Sequence, residues 1–393
     1  MDDVVLLSAV RTPIGVFQGA LAGLSAPALG ARAIAAAVER AGLTPAEIEQ
    51  VNMGCVLTAG QGQAPARQAA LAAGCPVSTG AVTLNKVCGS GMRAVMIAAN
   101  DLRCGDFKVV AAGGMESMSQ APYLAPGVRD GLRLGHGKLI DSMVHDGLWD
   151  PYGDVHMGNC AELCAAEYKL GRAEQDAYSL ESYRRSREAT EKGLFAEEIV
   201  PVQVPGKKGE TTVDRDEEPF KVDLAKIASL RPAFQKDGGT VTAGNASKIN
   251  DGAAALVLTT AAEAARRGAK PLARIVAHAS FAQKPEWFTT APAAAVRLAL
   301  DRAGLKTSDI DLWEVNEAFA VVAMAFLHDL ELSADRVNLR GGAVSLGHPI
   351  GASGARILVT LLHALRERGA RFGCAAICIG GGEATAMIVE RLD

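Results

Sequence analysis

Aromatic residues are scarce, at 5 % of 393 positions with only three tryptophans, so large rings fill little of the interior. Forty-two glycines and many alanines stand in their place, in a chain that is 49 % hydrophobic. That mixture favours helices packed tightly on a parallel sheet and argues against an all-β or a disordered chain. Long apolar runs are lacking too. No stretch offers the roughly 18 consecutive apolar residues that a membrane-spanning helix needs, which predicts a soluble protein with no membrane partner. Nor is there an excess of positive charge: 40 Lys and Arg face 44 Asp and Glu, a formal charge of -4. This gives no electrostatic reason to bind nucleic acid or an anionic surface, and the expected partner is a small molecule.

A disulfide framework is also missing, because eight cysteines at irregular spacing in so long a chain do not form one. A reducing compartment is expected. The segment MDDVVLLSAVRTPIG lacks both a basic leader with a long apolar run and an Arg-rich presequence, and the chain is read as cytoplasmic.

What the chain does contain is a copy of itself. ERAGLTPAEIEQVNMG, ending at Gly54, matches DRAGLKTSDIDLWEVN, ending at Asn316. SGMRAVMIAANDL from Ser90 matches SGARILVTLLHAL from Ser353 at nearly the same offset. Both of the latter read as helices entered through a Gly-rich turn, and each leads to a buried strand that runs into glycines, FKVVAAGG to Gly114 and CAAICIGG to Gly381. The next strand of the second copy, ATAMIVERL from Ala384, has its counterpart only at AAALVLTTA from Ala253. The first copy is therefore interrupted. Residues 1–117 with 250–268 form one half, 269–393 the other, and 118–249 an inserted loop domain whose mixed charges are read mostly as solvated surface. Alternating strands and helices predict an α/β fold with right-handed crossovers, mainly parallel sheets and helical layers on either side. Ligands in such folds bind beyond the carboxyl ends of strands, between the halves.

Candidate chemistry lies in those turns. Cys88, in NKVCGSGM, opens a predicted helix, where free N–H groups and the helix dipole favour a thiolate and lower its pKa. His348, in GGAVSLGHPIGASGAR, occupies the corresponding loop of the second copy and is placed to activate Cys88. Cys378 ends a buried strand just before glycines, among which Gly380 offers an unobstructed N–H for an oxyanion; no GK[ST] follows, so a phosphate loop is disfavoured. Asn316, in WEVNEAFA, is either a helix cap or an amide that holds a water or a carbonyl, with Glu317 beside it in a supporting role. Taken one at a time, Cys88, His348 and Cys378 equally suit a turn, a satisfied loop histidine and a packing residue. Cys374 with Cys378, and Cys160 with Cys164, lack the accompanying ligands of a metal site, and none is expected.

Together, NKVCGSGM at 85–92, NEAFA at 316–320, GGAVSLGHPIGASGAR at 341–356 and CIGGG at 378–382 strongly resemble the thiolase family. VVLLSAVRTPIG, GGMESMSQAPY, HMGNCAE and TVTAGNASKINDGAAALVL match in order and spacing, so the resemblance runs from end to end. It implies a duplicated αβαβα layered fold and acetyl-CoA C-acetyltransferase activity, the condensation of two acetyl-CoA to acetoacetyl-CoA and coenzyme A or its reverse. In the implied roles Cys88 carries the acyl group and Cys378 removes the α proton. His348 activates Cys88 and, with a water on Asn316, holds the enolate oxygen, while the N–H groups of Cys88 and Gly380 hold the tetrahedral oxyanion. Leu148, His156, Met157, Phe234, Ala243, Ser247, Phe288 and Ala318 match positions that contact coenzyme A or the acyl pocket.

No cofactor is implied beyond coenzyme A as substrate and carrier, and the implied assembly is a homotetramer. Two positions depart from the commoner pattern. Lys248 replaces a glycine near the coenzyme, its ammonium reaching either a phosphate or solvent. Phe288 stands where many members carry Met, which points to a 2-methyl-branched or broader 3-ketoacyl substrate as the alternative. Pro219 stands where potassium-responsive members carry a tyrosine, so potassium dependence is not expected. Ketosynthase-type condensing enzymes share the architecture but use a Cys with two His, or His and Asn, and Cys378 favours a thiolase. A non-catalytic acyl-CoA-binding protein is the alternative from another class.

Overall fold

The computed structural model describes residues 2–206 and 209–392. Its main sheet is built from β1 (Val4–Arg11), β2 (Gln50–Gly54), β3 (Gly80–Leu84), β4 (Val109–Ser117), β5 (Asn250–Thr260), β6 (Ala273–Ala282), β7 (Leu312–Val315), β8 (Phe372–Ile379) and β9 (Glu383–Arg391). They lie in the order β7-β8-β9-β6-β1-β5-β4-β2-β3, with Gly15–Val16 paired on β5. β1, apolar except for Ser8 and the terminal Arg11, is buried on both faces, as a strand covered by helices on both sides must be.

The internal repeat is visible in the strand order. In the first half β2 pairs in parallel with β3 and β4, then β4, β5 and β1 pair antiparallel. In the second half β7 pairs in parallel with β8 and with a single bridge at Val337, then β8, β9 and β6 pair antiparallel. The halves join through only two residue pairs, Val5 with Arg274 and Leu6 with Ala273.

This corrects the expectation of mainly parallel sheets: each half is mixed. The three glycines at 380–382 form a tight turn, with Gly381 at φ +89 and Gly382 at φ +81, and so short a connection can only return the chain antiparallel. In the first half the same return is made after a long excursion. The chain leaves β4 at Ser117 and re-enters β5 beside it, Asp251 facing Ser117.

The helices that matter for the site are α1 (Ala26–Arg40), α2 (Ser90–Cys104), α3 (Met157–Glu167), α4 (Arg172–Glu191), α5 (Ala291–Ala303), α6 (Ala320–Asp329) and α7 (Ile350–Arg368). α1 packs on the outer face of the first half through Leu29, Ile34 and Val38, against Val51, Met53 and Val257. α5 does the same for the second half, with Val296 and Leu300 against Ala376 and Ile388. α2 and α7 fill the space between the halves. The layering is α1, half-sheet, α2 with α7, half-sheet, α5.

In the excursion, α3, α4 and the hairpin Val202–Gly206 with Gly209–Val213 lie between β4 and β5 in sequence. Its charges are not all surface. Glu198 and Asp216 are fully buried and both grip Arg11 at the end of β1, at 2.6 and 2.7 Å, so the excursion is anchored to the main sheet by a desolvated ion triad.

Candidate active site

Cys88 follows β3 by a short turn and precedes the first residue of α2 by two positions. Val87 before it has φ +44, a left-handed conformation that a β-branched residue adopts only under strain, and such strain clusters at functional turns. Gly89 lets the turn lie directly on β8, since a Cβ there would meet Ile379 Cδ1 at 2.3 Å. An ion pair between Lys86 and Glu383 ties the same turn to β9. The Cys88 sulfur is thereby carried to the β8–β9 turn, where the N–H of Gly380 and its own N–H favour the thiolate.

The expectation of a depressed thiol pKa is not met. Burial pushes Cys88 up to about 12, and the two N–H donors recover only part of that cost. Desolvation of a charged sulfur in an apolar wall outweighs the field of one helix end. The resting group is a thiol and needs a base.

His348 lies in the loop before α7, its backbone N–H donating to Asn250 Oδ1 at 2.9 Å. Its Nδ1 is 2.6 Å from Ser353 Oγ, and that hydroxyl lies 2.9 Å from the Pro349 carbonyl. A hydroxyl that donates to the carbonyl accepts from Nδ1–H, which leaves a lone pair on Nε2. Nε2 is buried with no partner among the described residues, on a ring that lines the main cavity. Burial, and then the Arg356 guanidinium, push its pKa down to about 3, so the ring rests neutral.

Cys378 and Asn316 stand behind the cavity wall rather than on it. Cys378 is fully buried in a cluster with Met157, Phe288, Ala318 and Phe319. Burial raises its thiol pKa well above the usual value, and the neighbouring Cys88 adds to the rise. Asn316 does not cap a helix, since α6 begins only at Ala320 with Phe319 in the cap position. Its backbone N–H donates to Ala376, while both atoms of its fully buried side-chain amide lack a partner among the described residues. Such an amide suits a water or ligand oxygen better than packing.

The cavity has a volume of about 460 Å³, within the usual range for a small-molecule site. Cys88, His348 and Gly380 line it together with Leu148, His156, Met157, Phe234, Ala243, Ser247, Phe288 and Ala318. Its roof comes from the excursion. His156 caps α3, accepting from Gly158 N–H at 3.0 Å, and its ring stacks on Phe234 at 4.6 Å. Lys248 also lines the cavity, half-buried, and its Nζ donates to the carbonyls of Ala246 and Val344.

Several supporting residues escaped the sequence reading. Ser353 and Asn250 orient His348. Glu116 accepts from the N–H groups of Val56, Leu57 and Gly351 and so fixes the start of α7; it lies in GGMES, a matched motif to which no role was given. Glu317 did not escape it: placed by the sequence beside Asn316 in a supporting role, it accepts from Tyr178, Ser182, Asn338 and the Val344 N–H, joining α4 to the His348 segment.

The sequence profile of the Thiolase, N-terminal domain matches residues 4–262, and that of the Thiolase, C-terminal domain matches residues 269–391. The chain belongs to the thiolase family. An acetyl-CoA acetyltransferase of Pseudomonas aeruginosa is 52 % identical over 100 % of both chains. The mitochondrial acetyl-CoA acetyltransferase of Mus musculus is 52 % identical over 100 % of this chain and 92 % of that one. Among solved structures, the Bacillus anthracis acetyl-CoA acetyltransferase superposes with a TM-score of 0.97 at 41 % identity, covering 100 % of this chain and 99 % of that one. A thiolase from Ascaris suum, solved in complex with coenzyme A, superposes with a TM-score of 0.94 at 45 % identity, covering 99 % and 100 %. Within the thiolase family, the mixed half-sheets and the central α2–α7 layer are the framework that brings the two Gly-rich turns to one cavity.

Proposed function

We propose that the protein is an acetyl-CoA acetyltransferase that condenses two acetyl-CoA to acetoacetyl-CoA and coenzyme A, or runs the reverse thiolysis, through an acyl-Cys88 intermediate. The observation that carries this reading is the meeting, on the wall of one largely apolar cavity, of the Cys88 thiol and an unpartnered imidazole nitrogen, with the Cys378 thiol buried behind that wall. His348 Nε2 takes the Cys88 proton as sulfur attacks the acetyl-CoA carbonyl. The oxyanion is held by the N–H groups of Cys88 and Gly380, which already face that sulfur. Collapse expels coenzyme A, which takes the Cys378 proton and leaves that sulfur a thiolate, while the Cys88 proton stays on Nε2.

The Cys378 thiolate then removes the α proton of the second acetyl-CoA, and the enolate carbon attacks the acyl carbonyl and expels Cys88, which takes back its proton from Nε2. Until then Nε2–H holds the enolate oxygen, and Asn316 supplies a bound water as the second donor. Each oxyanion donor is worth on the order of 100- to 1000-fold in rate. Two thiols kept at different depths explain the division of labour between nucleophile and base. The pair Cys88 and Cys378 also sets this reading apart from a ketosynthase.

Coenzyme A serves as substrate and carrier with no other cofactor required. We read residues 118–249 as the inserted domain that covers its pantetheine arm, with 1–117 plus 250–268 and 269–393 as the two halves. Phe288 in the acyl wall supports a second reading, in which 2-methyl-branched 3-ketoacyl-CoA is also accepted. We further propose a cytoplasmic homotetramer, supported by the exposed apolar side chains Val128, Leu132, Leu134 and Leu139. The decisive assay is coenzyme-A-dependent loss of acetoacetyl-CoA. The native protein turns over and Cys88→Ser loses at least a hundredfold, on the order expected for removal of a nucleophile; equal rates for both would end the assignment.

A further inference from the structure

Among the described residues, Lys248 is the only lysine on the wall of the main cavity. A half-buried ammonium that serves a ligand is expected to reach into the cavity, yet Nζ turns back into the protein. It lies 2.7 Å from the Ala246 carbonyl oxygen and 3.4 Å from that of Val344, and 5.8 Å from the centre of the Tyr183 ring. The carboxylates of Glu218 and Glu317 both act on it. Glu317 draws its four hydrogen bonds from neutral donors, and the charges of Lys248 and Arg356 both act on it. Two carbonyl oxygens and an aromatic face around one ammonium, with the field of two carboxylates, make a cation socket filled by a side chain of the chain itself.

The two segments that the ammonium joins have separate tasks. Ala246 belongs to the 245–250 strip, zipped to 318–320 by the bonds Ser247 N–H to Ala318 and Ala320 N–H to Asn245. Val344 belongs to the short helical turn Ala343–Leu346, directly before His348. That turn is also held by the Val344 N–H on Glu317, by the Ser182 hydroxyl, which meets Ser345 Oγ and accepts from the Gly342 N–H, and by the His348 N–H on Asn250. We propose that Lys248 is a positioning residue of the acyl-transfer site, its ammonium clamping the strip that flanks the coenzyme arm to the segment that carries His348. The inference rests on the acyltransferase reading above and adds to it a residue that touches no reacting atom. Loss of the cation removes one of the turn's attachments and leaves two carboxylates without it, a cost that falls on the placement of Nε2.

A clamp and a phosphate contact predict different kinetics. A residue that binds the coenzyme evenly in ground and transition state raises KM when lost, whereas one that positions His348 lowers kcat. Lys248→Ala and Lys248→Met, the latter keeping most of the apolar stem, are expected to lose about 10- to 100-fold in kcat for acetoacetyl-CoA thiolysis with little change in KM. Ethylammonium added to Lys248→Ala in sodium buffer is expected to recover activity, and tetramethylammonium at the same ionic strength, which carries the charge but no N–H, is not. Hydrogen exchange of residues 342–348 in both variants gives a readout that needs no turnover and is expected to accelerate relative to the native protein. Unchanged exchange in that segment, a native kcat, or a loss confined to KM would each overturn the clamp. A native protein that fails to cleave acetoacetyl-CoA would overturn the acyltransferase reading instead, and the exchange experiment would still decide the clamp.

Discussion

At the scale of single residues, the site is set by opposed shifts in neutral groups. Burial pushes Cys88 up to about 12 and pushes His348 down to about 3, so neither a thiolate nor an imidazolium is stored in the resting protein. Proton transfer between them belongs to the moment of attack, when the N–H groups of Cys88 and Gly380 are offered a developing oxyanion. Specificity is a separate matter of shape. Phe288 is almost fully buried and meets Phe319 edge-on with ring centres 6.3 Å apart, closing the acyl end of the cavity beside Cys378. Replacing it by alanine opens that end. Phe288→Ala is therefore expected to raise kcat/KM for a six-carbon 3-ketoacyl-CoA relative to acetoacetyl-CoA by roughly tenfold or more, the scale on which apolar pockets discriminate added methylenes. An unchanged ratio would remove Phe288 from the specificity account.

At the scale of elements, the cavity depends on how closely α7 approaches β4 and α2. A Cβ on Gly114 would lie 2.0 Å from the Gly351 carbonyl oxygen, and one on Gly91 would lie 2.8 Å from the Ala355 nitrogen. These are backbone atoms that cannot turn aside. Gly114→Ala is expected to lower stability in urea by at least about 2 kcal/mol and to reduce activity with it, because Gly351 lies three residues from His348. Gly23→Ala, where a new Cβ meets nothing within 4 Å, serves as the control and is expected to be neutral. Near-native stability for Gly114→Ala would show that the layer tolerates more slack than its geometry implies.

The same elements show what the sequence made legible. Cys88, His348 and Gly380 were accessible because each sits in a Gly-rich turn at equivalent places in a repeat. Ser353, Asn250 and Glu116 were not, because a residue whose task is to accept or donate one hydrogen bond in a distant loop has no local pattern. Asn316 was misread as a possible cap because a strand–polar–helix order resembles a helix start; the three residues between it and α6 appear only in the folded chain.

At the scale of the whole molecule, the duplicated strand order and the five layers follow from the repeat, but the strand directions do not. Period and burial report that a segment is a strand; the sense of pairing is decided by the connection, a three-residue turn before β9 and a 132-residue excursion before β5. That excursion leaves Leu134 fully exposed, with Leu132 at 58 % and Leu139 at 72 %. Apolar side chains gathered on one loop are the surface that the proposed homotetramer would cover with another copy. Light scattering is expected to give the mass of four chains, and Leu132→Ser with Leu134→Ser to lower it; a native monomer would contradict the assembly.

The central claim is that Cys88, and not Cys378, carries the acyl group. It is tested by mixing the native protein with acetyl-CoA alone, quenching in acid and mapping tryptic peptides by mass. One acetyl group is predicted on the peptide Val87–Arg93, retained in Cys378→Ser and absent in Cys88→Ser. Acetyl found on the peptide that holds Cys378, or on none while the protein turns over, would contradict the account.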